Sequence, residues 1–328
     1  MGNRAKIDET DTKILRALLR ESRTSFTEIA KDCKITVAAV RKRYKRLRKT
    51  GVIKGEIMQV NPHSMGYGCV TDIGILTTIE AEEEVIKFLK TKSYIVAIIP
   101  EGFGRYNVGA TIILPNIEKL ARIIENIESN PHIKHVDTLI WAEAKNMDHG
   151  ENLLLDPAKG KLEPLPAQRP PPINHAEIQL DEIDRQIARI LTENSRVSFS
   201  KIAKQLDISV AKVIQKYKRL RGTVLTLSTI RIDLEKLGYN ALVHLFIKAA
   251  NRSMMPEIHD QILQIPNLVV AIRLIGPYDL RAIIPVADLE NVFELTENIR
   301  KIRGIEQADI FLFRITFAWP LNVFAPLL

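Results

Sequence analysis

Ile7-Asp8-Glu9-Thr10-Asp11, followed by Ile14, comes back 173 residues later as Leu180-Asp181-Glu182-Ile183-Asp184, followed by Ile187. The register then holds without a gap. Ser22-Arg23 matches Ser195-Arg196, Ser25-Phe26 matches Ser198-Phe199, and Ile29-Ala30-Lys31 matches Ile202-Ala203-Lys204. Tyr44-Lys45-Arg46-Leu47-Arg48 matches Tyr217-Lys218-Arg219-Leu220-Arg221. From Gly66-Tyr67 and Gly238-Tyr239 onward the offset is 172, and it persists through Gly104 and Gly276, then Tyr106 and Tyr278. Two copies are too few to stack as a solenoid, so each is expected to be self-sufficient.

Each copy opens with three helices. Asp8 suits an N-cap and Asp11 the first turn, where a carboxylate meets the positive end of the helix dipole. Ile14, Leu15, Leu18 and Leu19 then form an apolar stripe at helical spacing. Ser25 followed by Glu28 is a capping-box pattern ahead of Phe26, Ile29 and Ala30. Cys33-Lys34-Ile35 makes a turn and Thr36 caps a third helix, which turns Val37, Val40, Tyr44 and Leu47 inward and Arg41, Lys42, Lys45, Arg48 and Lys49 outward. Gly51 ends it. This order is a helix-turn-helix, whose last helix enters the major groove by its N-terminal residues. Charge agrees: residues 1–55 carry net +10 and 176–222 net +4, which leaves −6 elsewhere in a chain of net +8. Positive charge concentrated in this way suits phosphate contact.

After each helix-turn-helix, Val52 to Ile57 and Val224 to Ile230 read as a short hairpin or wing. Strands near 70–76, 95–99, 108–114 and 136–141, with helices near 83–90 and 117–127, give the order βαββαβ, a ferredoxin-like arrangement. The expected fold class is therefore α+β: a winged helix-turn-helix plus a ferredoxin-like sensor domain, the pair duplicated in tandem. The divisions expected are helix-turn-helix domain one over 1–60, sensor one over 61–147, a proline-rich linker over 148–176, helix-turn-helix two over 177–231, sensor two over 232–318, and an apolar tail over 319–328. Prolines 157, 164, 166 and 170–172 favour an extended linker. Both helices of each sensor fall on one sheet face, so the other face is expected to be buried against a partner sheet. The tail, from Phe317-Ala318-Trp319-Pro320 to Leu328, is expected over the sensor sheets or a neighbouring chain.

The opening Ile/Leu-Asp-x-x-Asp-x-x-Ile, the Arg-Leu ending the third helix, the Gly-Tyr before the first strand and the Gly-x-Tyr-Asp/Asn between the middle strands resemble the Lrp/AsnC (feast/famine) transcription regulators. The resemblance covers nearly all of both copies. Members pair through their sensor sheets, which implies an intrachain pseudo-dimer here and a further homo-oligomer. The family's Gly-x-Tyr-Asp loop lines an amino-acid effector pocket. The implied effector positions are Gly104, Tyr106 and Asn107 in the first copy and Gly276, Tyr278 and Asp279 in the second, where the aspartate accepts from an ammonium; the same residues also make good turns. The expected partner is double-stranded DNA. Thr36, Ala38, Ala39, Arg41, Lys42, Lys45 and Arg46 face it from the first copy, Ser209, Ala211, Lys212, Gln215 and Lys218 from the second. Arginine reads guanine, while Lys45 and Arg46 suit phosphate. Ile214 replaces Arg41 and Gln215 replaces Lys42, so the two heads are expected to read different half-sites.

Other chemistry is sparse. Two cysteines, Cys33 and Cys69, exclude a disulfide framework. His132 and His135 have metal-like spacing without a third ligand, and Gly102-Phe103-Gly104 lacks the context of a dinucleotide fingerprint. The alternatives are a ligand-sensing scaffold without DNA binding, or a sirohaem-decarboxylase-like enzyme. Tyr106-Asn107 resembles part of that enzyme branch's pattern, but Ile98, Ile99 and Gly102 stand where it places a histidine and an arginine. The reading is therefore no enzyme, no cofactor and no metal. With no secretory signal and no apolar run of spanning length, a cytoplasmic location and no membrane contact are expected.

Overall fold

The computed structural model of the chain describes residues 4–100, 102–103, 105–143, 150–153 and 177–328. The proline-rich stretch from 155 to 175 and Gly104 lie outside the described residues. The first copy runs through α1 (Glu9–Arg20), α2 (Phe26–Cys33), α3 (Val37–Lys49), β1 (Ile53–Val60), β2 (Cys69–Thr77), α4 (Glu82–Lys90), β3 (Ile95–Pro100), β4 (Gly102–Phe103), β5 (Val108–Leu114), α5 (Leu120–Glu128) and β6 (Ile133–Glu143). The second runs through α6 (Glu182–Glu193), α7 (Phe199–Leu206), α8 (Val210–Leu220), β7 (Leu225–Ile232), α9 (Leu234–Leu237), β8 (Ala241–Ala249), α10 (Met255–Ile262), β9 (Val270–Ile275), β10 (Leu280–Val286), α11 (Leu289–Arg300) and β11 (Ile305–Arg314).

These elements gather into two compact units: Met1–Gly66, Leu154–Gly238 and Thr316–Leu328 in one, Tyr67–Leu153 and Tyr239–Ile315 in the other. The division falls inside the repeated Gly-Tyr pair. Gly66 and Gly238 have φ of 87° and 101°, a left-handed conformation that ends a short helical turn and that a side chain opposes.

In the first unit the helices start where capping chemistry places them. Asp8 and Asp181 each close a capping box with Asp11 and Asp184. Ser25, Thr36, Ser198 and Ser209 accept from the backbone N–H three residues on. Lys34 and Asp207, at φ 54° and 51°, make the turn before each third helix. Ile14, Leu18, Ile29, Val40 and Leu47 are buried behind it, each worth about 1.5–3 kcal/mol against exposure.

The segment after each third helix is not a hairpin closed on itself. β1 and β7 pair with one another, antiparallel, with Glu56 opposite Ile230 and Met58 opposite Ser228. Ile57, Met58 and Val60 of β1 are all buried, so the strand is covered on both faces, as a solvent-facing wing is not. α6 packs on β1 and α1 on β7, each first helix against the other copy's strand. The apolar tail also differs from expectation. It packs in this unit rather than over the sensor sheets: Trp319 bridges Ile232, Asn322 Nδ2 donates to Met58 O (2.7 Å), and Gln59 Nε2 donates to Leu321 O (3.2 Å). The open edge of the β1–β7 ribbon gives its backbone groups something to satisfy there.

The second unit is one nine-stranded sheet in the order β3-β5-β2-β6-β9-β10-β8-β11-β4. Each copy contributes the ferredoxin-like order, and the halves join where β6 pairs with β9 and β11 with β4. β3 and β4, the two ends of the order, have one residue between them in sequence. Each copy's helices cover a separate core: Ile73, Ile75, Val85, Leu89 and Ile112 in the first, Val243, Leu245, Ile258, Leu268 and Leu295 in the second. Leu289 and Phe293 of α11 are 64% and 61% exposed. Leu295 and Ile299 carry the buried face.

Candidate nucleic-acid interface

The repeated Asp-x-x-Asp does more than cap. Asp11 is wholly buried and holds Arg43 at 3.0 Å and Arg46; Arg43 also reaches Asp8 at 2.6 Å. In the second copy Lys216 holds Asp181 and, at 3.2 Å, Asp184, while Arg219 lies 3.3 Å from Asp184. The Lys216 ammonium draws the Asp181 carboxyl down to about 2. The first helix thus pins the middle of the third by charge as well as packing.

These pairs sort the basic run of α3. Arg48 is held by Glu56 at 2.6 Å, and Tyr44 donates to the same carboxylate. Burial, with that hydrogen bond second, pushes the Tyr44 phenol up to about 12. Arg41, Lys42, Lys45 and Lys49 remain: all are exposed and none forms an ion pair among the described residues. Thr36 and Ala38 are exposed at the helix start, and Ala39 is half-buried. Arg46, expected on phosphate, is the member of the set that the fold engages with Asp11. On α8, Ser209, Ala211, Lys212, Gln215 and Lys218 are all exposed. Each copy therefore presents one helix N-terminus with polar and cationic side chains turned to solvent, the arrangement a major groove accepts.

The interlock between the two heads was not read from the sequence. Ser22 Oγ lies 2.5 Å from Ser195 Oγ and 2.6 Å from Ser228 Oγ, all buried. Arg23 donates to the carbonyls of Ser195 and Val197, and Arg196 to those of Ser22 and Thr24. Each guanidinium also stacks on the other copy's aromatic pair, Arg23 at 4.5 Å from Phe199 and Arg196 at 4.5 Å from Phe26. The identical Ser-Arg in both copies was the available signal.

The effector-loop residues have structural duties. Tyr106 donates to Asp137 Oδ2 at 2.7 Å and Tyr278 to Asp309, a matched pair of buried phenols. Asn107 Oδ1 accepts from Thr77 N (3.1 Å), and Asp279 Oδ2 accepts from Ala249 N (3.0 Å) at the equivalent place. Asp279 Oδ1 also accepts from Arg252 Nε at 2.9 Å. Gly276, at φ 153°, passes so close to β6 that a Cβ there would sit 2.4 Å from Thr138 O. The two histidines do not converge: His132 pairs with Glu84 (2.9 Å) and His135 with Asp137 (3.1 Å). No group of three or more metal-ligating side chains occurs among the described residues, and no helix there is long and apolar enough to cross a membrane.

Comparison with known proteins places these features. Residues 7–54 match the winged helix-turn-helix DNA-binding family and 180–221 the AsnC-type helix-turn-helix domain. The HTH-type transcriptional regulator LrpA of Pyrococcus horikoshii is 40% identical over 120 residues, 37% of this chain and 84% of the relative. The chain belongs to the Lrp/AsnC family of transcription regulators. The regulatory protein AsnC of Haemophilus influenzae is 29% identical over 136 residues, 41% of this chain and 90% of that protein. This Lrp/AsnC member is thus a DNA-binding regulator with two helix-turn-helix heads in one polypeptide.

One expectation is corrected. The crystal structure of the siroheme decarboxylase NirDL superposes with a TM-score of 0.64 at 16% identity, covering 98% of this chain and 97% of that one. The likeness shows the fold. That tandem fold, over its whole length, is one an enzyme uses, so the reading of the chain as no enzyme falls.

Proposed function

We propose that this regulator is a single-chain pseudo-dimer that reads an asymmetric operator. The observation that carries the reading is the set of exposed, unpaired cations at the start of α3, matched on α8 by different side chains. Arg41 and Lys42 read bases in one half-site with Thr36, Ala38 and Ala39 close to the groove floor, and Lys45 holds phosphate. Ser209, Ala211, Lys212 and Gln215 face the other half-site, with Lys218 on its backbone. A bidentate arginine or glutamine contact contributes about 1–3 kcal/mol of base discrimination. Replacing Arg41 and Lys42 together with Ala is expected to reduce binding to the sequence-independent level in a gel-shift titration at fixed salt; full retention overturns the assignment.

An amino-acid-like effector fits the loop at Gly276, Tyr278 and Asp279. The Arg252 guanidinium on Asp279 belongs to a side chain 68% exposed, and an effector ammonium can take its place. Asn107 lacks the charge, so the loop containing Gly104 and Tyr106 is the weaker partner. A panel of amino acids should shift operator affinity in the native chain and not in Asp279→Asn. The second reading, catalysis on a tetrapyrrole, rests on the whole-length likeness in fold, and spectra after tetrapyrrole incubation test it.

A further inference from the structure

Within the second unit a cavity of about 40 Å³ is lined by both copies, room for about three water-sized positions. Beside it the copies differ at one cross-strand pair. Phe246 and Arg281 stand opposite one another on β8 and β10. At the matching places on β2 and β5, Gly74 faces Gly109. Over Gly74 the Tyr106 ring takes the place of a side chain, 2.6 Å from where a Cβ would sit, whereas Gly109 leaves its side open, with no atom nearer than 3.8 Å; all four residues line the space.

The next matched position holds Asp72 in the first copy and His244 in the second, both buried. Asp72 accepts three hydrogen bonds: Arg281 Nη1 donates to Oδ2 at 2.5 Å, Trp141 Nε1 to Oδ2 at 2.8 Å, and Thr111 Oγ1 to Oδ1 at 2.7 Å. Arg281 Nε is different. It is buried, on a residue 8% exposed, and has no hydrogen-bond partner. Such a donor is destabilising unless something accepts from it. The cavity's lining therefore includes a buried donor from which nothing accepts.

We propose that this cavity binds a small oxyanion, the size of formate or nitrate, through Arg281 and His244. Tyr106, one of the first copy's effector-loop positions, is among its lining residues. Arg281 and Asp72 cancel in charge. Burial, and then Arg281, push His244 well below its ordinary value, so it is neutral in the empty site. A bound anion leaves one uncompensated charge in the interior, which a proton taken up by His244 cancels. The other ionisable groups near the cavity are Asp72 on β2, Arg281 on β10, Asp137 on β6 and Asp309 on β11, with Tyr106 and Tyr278 donating to the last two. Arg105 lies 3.2 Å from Asp137. All are already paired, which leaves His244 to take the proton.

Calorimetric titration of the full chain with sodium formate at pH 6 and pH 8 tests this, with sodium gluconate, too large for the cavity, as the reference for anions on the basic heads. One formate per chain is expected, with affinity falling up to tenfold per pH unit and heats that report uptake of one proton. Gly109→Ala puts a methyl into the cavity with no atom nearer than 3.8 Å; it is expected to keep the native Tm and lose saturable formate binding. His244→Gln should bind more weakly and without pH dependence. Formate heats no different from gluconate at pH 6, or native formate binding by Gly109→Ala, overturn the proposal.

Discussion

At the scale of single residues, Asp11 and Asp184 do work that sequence pattern half reveals. Spacing marked Asp11 as a first-turn carboxylate, yet its pairing with Arg43 and Arg46 is a three-dimensional fact that no local pattern encodes. Asp11→Ala removes a buried acceptor shared by two arginines and a backbone N–H. With Arg46 46% exposed and solvent damping that pair, the expected loss is about 2 kcal/mol, read as a lower urea midpoint with an unchanged slope. His244 gives a pH signature. Its folded value lies below the ordinary 6.5, so the unfolded chain binds the extra proton first. Stability is then full above about pH 6.5 and falls as pH drops, by up to about 1.4 kcal/mol per unit for one group. Urea midpoints of the native chain and His244→Gln should diverge below pH 6.5 and run parallel above it; parallel curves throughout contradict the assignment.

At the scale of elements, helices were legible and strand partners were not. Caps, apolar stripes and the glycine after α3 lie within a few residues of the boundaries they set, and the structure follows them closely. The sensor strands were legible as elements because they are short apolar runs between turns. Their pairing across copies was not, because β1 needs β7, more than 160 residues away, and nothing in a run such as Ile57-Met58 names its partner. The exposure of the outward side chains of α3 could be read from helical period alone, whereas the engagement of Arg46 and Arg48 needed tertiary contacts. The Ser-Arg interlock makes a prediction at this level. Arg23→Ala with Arg196→Ala removes two stacked, hydrogen-bonded cations, each worth about 1–2 kcal/mol when partly desolvated. Thermal unfolding of the double variant should begin earlier, and its operator affinity should fall although neither residue lies among the proposed DNA contacts.

At the scale of the whole molecule, duplication has let two copies diverge while remaining partners. Gly74, Gly109 and Asp72 in one half stand against Phe246, Arg281 and His244 in the other, and the Asp72–Arg281 pair forms only between unlike copies. The β1–β7 ribbon and the β6–β9 join likewise bind copy to copy. A protease site placed in the proline-rich stretch should therefore give a nicked protein whose halves co-elute in native chromatography and separate only in denaturant. The same divergence underlies the operator claim, since α3 and α8 present different side chains. Selection of bound fragments from a randomised duplex pool tests it most directly, run on the native chain, on Arg41→Ala with Lys42→Ala, and on Lys212→Ala with Gln215→Ala. The native chain should enrich a site with two unlike halves, and each variant should relax one half while sparing the other. A palindromic site, or relaxation of both halves by either variant, would contradict the account.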